Sequence, residues 1–227
     1  MNDFFYKSTS AKPLSFFRAV WGVFLVYYYL DTYWMFQFYY GPEGIHGIDA
    51  LALTPPIFQW SLFHYFSPPL PVMFPLIYGL ALLSSLGLCL GIRTRLCSVI
   101  SWICAISLIT PLHWGSHGAD GVVKIMAFLF MICGLAGHTA HYFSLNAARL
   151  RGRDEPETNS PQIPAWTYRL FQIQLCATYL FSGLLKAGHP EWQHGTAMFG
   201  ILQQTESWMR YDFTVLCNYP ALTALLT

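Results

Sequence analysis

Apolar residues in this chain come in runs about as long as a bilayer crossing, and polar residues are confined to the gaps between them. A spanning helix needs about 20 mostly apolar residues. Leu14 to about Phe36 is the first such run, with Asp31 near its far end. It is too long for a cleaved leader and lacks a small-residue cleavage site. The next runs are Val72 to Ile92, Leu96 to Leu112, Val122 to about Gly137 and Ala165 to Lys186. A partial sixth begins at Tyr219 and reaches Thr227, too short to span, so the domain is expected to continue beyond it. The pattern predicts an all-α, polytopic transmembrane helix bundle. Gly and Ser within the second run suit close helix contact in lipid. The stretch between the first two runs carries two Pro-Pro steps with Trp60 and Tyr65. It predicts interfacial helices and turns.

Composition removes the soluble alternative. Hydrophobic residues are 55% of the 227 and charged residues 10%, whereas soluble domains are about 25% charged. A net charge of +1 gives no footprint for nucleic acid. The six cysteines contain no CxxC and no Cys/His pairing at zinc spacing, so neither a disulfide framework nor a metal cluster is expected.

The few charges are sorted along the chain. Lys7, Lys12, Arg18, Arg93, Arg95, Arg149, Arg151, Arg153 and Arg169 fall on the side of the N-terminus, which is nine of the 12 basic residues. That side is therefore expected to be cytoplasmic. It includes the charged, Pro-rich connector from Arg149 to Trp166. Six of the eight histidines (His46, His64, His113, His117, His189, His194) fall on the other side. So do seven acids: Asp31, Glu43, Asp49, Asp120, Glu191, Glu206 and Asp212. Candidate chemistry is expected at that outer face.

Two outer segments concentrate polar groups. Leu112 to Lys124 brings His113, His117, Asp120 and Lys124 into a glycine-rich turn and helix start. Asp120 reads either as a helix-start carboxylate that caps free N–H groups or as a site residue. Lys124 four residues later is expected to pair with it. Gly115 and Gly118 interrupt the helix that a His113/His117 metal pair would need. Tyr179 to Met198 places Lys186 at the end of an apolar run. Two readings of Lys186 are open, a snorkelling lysine facing lipid or a partly desolvated base facing the bundle. The aromatic runs Tyr27–Tyr29 and Phe36–Tyr40 read as interface belt, bundle core or a flat-ring cofactor site such as a quinone.

At these residues the chain resembles a known family. FFRAVWGVFLVYYYLD, YYGPEGIHG, the block from GIRTR through LHWGSHGADGVVK, and PAWTYRLFQIQLCATYLFSGLLKAGHPEWQHGTAM together look like the HTTM family. This is the membrane domain shared with vitamin K-dependent gamma-glutamyl carboxylase and its bacterial relatives. The resemblance covers nearly the whole chain. It implies a hydroquinone cofactor whose oxygenation yields a strong base, proton removal from glutamate, and addition of CO2 to the carbanion. Lys186 resembles the lysine that starts hydroquinone deprotonation. His117, and after it His113, resembles the carbanion-stabilising histidine, with Trp192, Asp120 and Tyr179 around the cofactor. Lys186 stands one residue further from Trp192 than in the carboxylase, and Leu185 replaces the second of two adjacent lysines. Two other functions remain open: a non-catalytic membrane subunit of a larger complex holding lipid or quinone, and a maturation factor for a secreted peptide. Membrane lipid is a partner in each case.

Overall fold

The computed structural model describes residues 2–40, 44, 60–64, 70–111, 118–139, 142–145, 161–203 and 214–225. They form two compact units, Met1–Phe171 and Gln172–Thr227. The elements are α1 (Asn2–Tyr6), β1 (Ser8–Ser10), α2 (Lys12–Tyr40), α3 (Leu70–Leu90), α4 (Thr94–Ile109), α5 (Gly118–Leu135), β2 (Gln162–Pro164), α6 (Trp166–Ala187), α7 (Pro190–Gln193), α8 (Ala197–Gln203) and α9 (Pro220–Leu225). The all-α expectation holds, with one small two-stranded pairing that the hydropathy pattern does not announce.

Three of the described helices, Lys12–Tyr40, Val72–Leu90 and Gly118–Leu135, are long and apolar enough to cross a membrane. At 16 residues, α4 is apolar but short, about 24 Å at 1.5 Å per residue. With 22 residues α6 has the length, yet Arg169, Gln172, Gln174 and Lys186 dilute its apolar character. The clearest membrane signature is the outward face of α2. Val20, Val23, Tyr27, Leu30, Trp34 and Phe38 recur at helical spacing and are all exposed, Trp34 at 77%. A soluble helix would turn polar residues outward there. The protein is an integral membrane protein.

In the first unit α2 packs on α3, α3 on α4, and α4 on α5. The inward stripe of α2 runs through Leu14, Arg18, Trp21, Leu25, Tyr29, Phe36 and Tyr40, a spacing of three, four or seven that keeps one face toward the bundle. Trp21 stacks on Phe130 of α5, with ring centroids 5.6 Å apart. Small residues let the backbones meet, as lipid-embedded helices require. A Cβ at Gly22 would stand 2.7 Å from Cys89 Cα on α3. The Ser84 and Ser85 hydroxyls donate to the Ala81 carbonyl, at 3.0 and 2.7 Å, so they enter the bundle already satisfied.

The turn between α3 and α4 is chemically specified. Ile92 N–H donates to the Gly87 carbonyl (2.9 Å) and Gly91 N–H to that of Leu88 (3.2 Å), with Gly91 at φ +70°. This is a Schellman stop, which favours glycine at its left-handed position. The missing side chain of Gly91 also admits Arg18 and Ser144.

Arg18 is fully buried. Its guanidinium donates to the carbonyls of Phe143 (2.5 Å) and Tyr142 (3.4 Å), so the segment after α5 answers the cation with peptide dipoles. Nearby, β1 pairs antiparallel with β2 through Ser8↔Pro164, Thr9↔Ile163 and Ser10↔Gln162. The Tyr168 hydroxyl donates to the Ser10 carbonyl at 2.5 Å. The N-terminal segment and the entry to α6 are thus joined at one end of the first unit.

Of the long segment expected at the interface, residue 44 and residues 60–64 are described. A single 3-10 turn, Leu62–His64, docks on α4, with the Ser61 hydroxyl donating to the Ser107 carbonyl (2.9 Å) and Phe63 stacked on Tyr40 (4.9 Å).

The second unit contains the remainder of α6, then α7, α8, a 3-10 turn at Thr214–Asn218, and α9. The partial sixth helix is realised as α9, six residues long, which packs on α8.

Replacing Gly22 by Ala forces α2 and α3 apart and is expected to cost about 1–3 kcal/mol. Gly79 has no heavy atom within 4 Å of a would-be Cβ, so Gly79→Ala should be neutral or stabilising by up to about 1 kcal/mol. Thermal unfolding of the two variants in detergent measures both. Equal melting points would refute the close α2–α3 contact.

Candidate functional site

The candidate site on the second unit is built by a chain reversal. Helix α6 ends beyond Lys186, where Gly188 N–H donates to the carbonyls of Leu184 and Leu185 (3.2 Å each) and His189 N–H to that of Lys186 (3.0 Å). Pro190 then opens α7 at its first position, where its missing N–H costs nothing. One turn later the chain stops again. Thr196 N–H donates to the Glu191 carbonyl (2.9 Å) across Gly195 at φ +74°. The Gln193 side-chain amide ties this reversal to the Ala187 carbonyl (2.7 Å). Gly195 also lies against α9, a Cβ there reaching within 3.3 Å of Ala224. The Gly195-Thr196-Ala197 motif is therefore the turn that lets α8 start.

The reversal lays Trp192 back against α6. Lys186 Nζ sits 4.1 Å from the centroid of the Trp192 ring, a cation–π contact. His189 and Glu191 stand beside it with Nδ1 and Oε2 3.8 Å apart. Both side chains are about two-thirds exposed, so that pair adds little. Tyr179 lies two turns before Lys186, on the same side of α6 by register, and is 73% exposed. Lys186 itself is exposed. The contact thus joins Lys186 and Trp192 in one site, with Tyr179 along the same helix face.

Asp120 belongs to the first unit, in the first turn of α5. It is 3% exposed and accepts a hydrogen bond from the Tyr28 hydroxyl at 2.6 Å. This changes the expected pairing with Lys124. Among the described residues, Lys124 has no carboxylate within ion-pair distance, because the Asp120 side chain turns inward to α2 while Lys124 faces a surface groove. His113 and His117 lie outside the described residues.

Residue spacing announces neither of two contacts, one in each unit. One is the partnership of Tyr28 with Asp120; the run Tyr27–Tyr29 is the only trace of it. The other is the cation–π contact, signalled by nothing more than the six-residue spacing of Lys186 and Trp192. The aromatic runs divide between faces: Tyr28, Tyr29, Phe36 and Tyr40 are core, and Tyr27 and Phe38 face outward.

A bundle of apolar helices with outward apolar faces, with the buried Asp120 at the start of one helix and Lys186 held on an indole at the end of another, defines a polytopic membrane domain with polar groups at helix ends. Residues 6–223 match the HTTM domain, nearly the whole chain, and the protein belongs to that family. No curated protein and no solved structure matches it.

Removing the Tyr28 hydroxyl withdraws one donor from a buried carboxylate, for which hydrogen bonds are worth about 1.5–3 kcal/mol. Tyr28→Phe should lower stability by that amount in chemical unfolding. An unchanged midpoint would show that the hydrogen bond does not hold α2 to α5.

Proposed function

We propose that this HTTM-domain protein carries out quinol-linked proton-transfer chemistry of the carboxylase-like type at its outer face, with Lys186 as the base. The observation that carries the proposal is the Lys186–Trp192 contact at 4.1 Å. The indole attracts the lysine head and fixes where its nitrogen stands. The neutral amine at that position can take a proton from an acid held within hydrogen-bond reach, and the indole face then holds the ammonium that forms.

The residues present fit a ring-bearing acid. Trp192 is only partly buried and offers an aromatic plane on which a flat ring can stack, and Lys186 offers a cation to the anion formed there. A quinol, when bound, would supply two-electron redox chemistry. Lys186 would remove or hold its hydroxyl proton, and Trp192 and Tyr179 would orient the ring. His117 and His113 are assigned the partner role on the family resemblance alone. The sorting of basic residues supports a cytoplasmic N-terminus and an outer position for Lys186.

A second reading is favoured by a different observation. Leu180, Phe181, Leu184 and Leu185 on α6 are exposed, a surface suited to neighbouring subunits of a larger membrane complex. Copurification with other subunits in fixed stoichiometry would favour that reading.

The test uses the full chain in nanodiscs, supplied with a naphthohydroquinone in air, and follows hydroquinone oxidation by dioxygen by absorbance. General-base removal predicts that Lys186→Ala slows the reaction about 10²–10⁴-fold, with the melting point retained. Wild-type rates in that variant would end the proposal.

A further inference from the structure

The first unit carries a surface groove that the Lys186 chemistry does not use. Its volume is about 380 Å³, within the roughly 300–1,000 Å³ range of ligand clefts. It lies where α4 ends and α5 begins, with Trp60, Thr110 and Lys124 among its lining residues. From Thr110 the groove descends α4 through Ile106 to Trp102, one residue per turn on the same face, over about 12 Å. Phe128 lies one turn below Lys124 on α5. The rings of Trp102 and Phe128 meet at 5.5 Å and close the floor. Trp60 is 40% exposed and Phe128 39%, so the groove opens sideways from the bundle rather than into its core.

Polarity is graded along this groove. One ammonium and one hydroxyl stand at the span end, and only apolar and aromatic side chains lie deeper. Among the described residues the ammonium meets no carboxylate, since Asp120 accepts from Tyr28 and no other lies within ion-pair distance of Lys124. A neutral amphiphile would leave that charge unanswered at the hydrocarbon boundary, where ionisable groups are costly and need partners. We infer that the groove is a binding site for an anionic phospholipid. Its phosphate engages Lys124 and the Thr110 hydroxyl, and one acyl chain lies along Ile106, Trp102 and Phe128. This inference is independent of the Lys186 reading, because it rests on other residues in the other unit.

The test is native mass spectrometry of the full chain released from nanodiscs of equal phosphatidylglycerol and phosphatidylcholine. One lysine near a membrane surface is worth about 1 kcal/mol toward anionic lipid, so the glycerol lipid should be retained about fivefold over the choline lipid. That preference should fall to parity in Lys124→Gln, and persist in Lys124→Arg and in Lys7→Gln, which removes an exposed lysine elsewhere. Phosphatidylglycerol brominated on its acyl chains provides a readout that needs no change at Lys124. It should quench tryptophan emission more than brominated phosphatidylcholine, and the difference should shrink in Trp102→Phe. Parity in the wild type, an unchanged preference in Lys124→Gln, or equal quenching by both lipids would overturn the proposal. Retention of a protein partner in place of lipid would do the same.

Discussion

Arg18 stands in the inward stripe of α2, fully buried, and among the described residues no carboxylate lies within ion-pair distance of it. A charge in that position must be answered by dipoles, and the carbonyls of Tyr142 and Phe143 answer it. Much of the first unit follows from this constraint. The segment after α5 must come back to α2, where Tyr142 N–H also meets the Ser15 hydroxyl (3.2 Å). The α3–α4 turn must leave room, so glycine stands at residue 91 and the Ser144 hydroxyl donates to its carbonyl (2.8 Å). Ten residues further along α2, about 15 Å away, the Tyr28–Asp120 hydrogen bond fixes the same helix to the start of α5. Two buried polar contacts, one at the start of α5 and one in the segment beyond its end, thus set the register of α2 against it, while the apolar contacts between them do not discriminate position as sharply.

The two units differ in how they use polar groups. In the first, buried hydroxyls mostly return to carbonyls, as Tyr40 does to Leu108 (2.9 Å) and Tyr78 to Tyr29 (2.7 Å). These bonds satisfy the bundle and leave little free for chemistry. In the second, the polar side chains around the α6–α7 reversal are exposed, and Lys186 is restrained by an aromatic face rather than by a buried acid. The proposed proton-transfer site therefore lies where a substrate can reach it, whereas the Asp120 carboxylate is buried against the Tyr28 hydroxyl.

The class of fold was legible because hydropathy over about 20 residues is a strong signal in lipid. The β1–β2 pairing was not, since three-residue strands 154 positions apart carry no periodicity of their own. The pairing expected of Asp120 with Lys124 failed for a related reason. Spacing along one helix identifies neighbours on its surface, but it does not say that a tyrosine on another helix will claim the acid first. Lys186 and Trp192 stood out individually, and their contact depended on the reversal at Pro190, which residue spacing leaves undetermined.

The pairing of residues 8–10 with 162–164 has a consequence for biosynthesis. At about 5–20 residues per second, the ribosome reaches the second strand roughly 8–30 s after completing the first. During that interval the first helix has been made while its N-terminal lead lacks its strand partner. The lead is closed only when the chain preceding α6 has emerged, so residues 8–10 are fastened after the helices between the two strands have been made. Its closure reports that everything between the two strands has been synthesised.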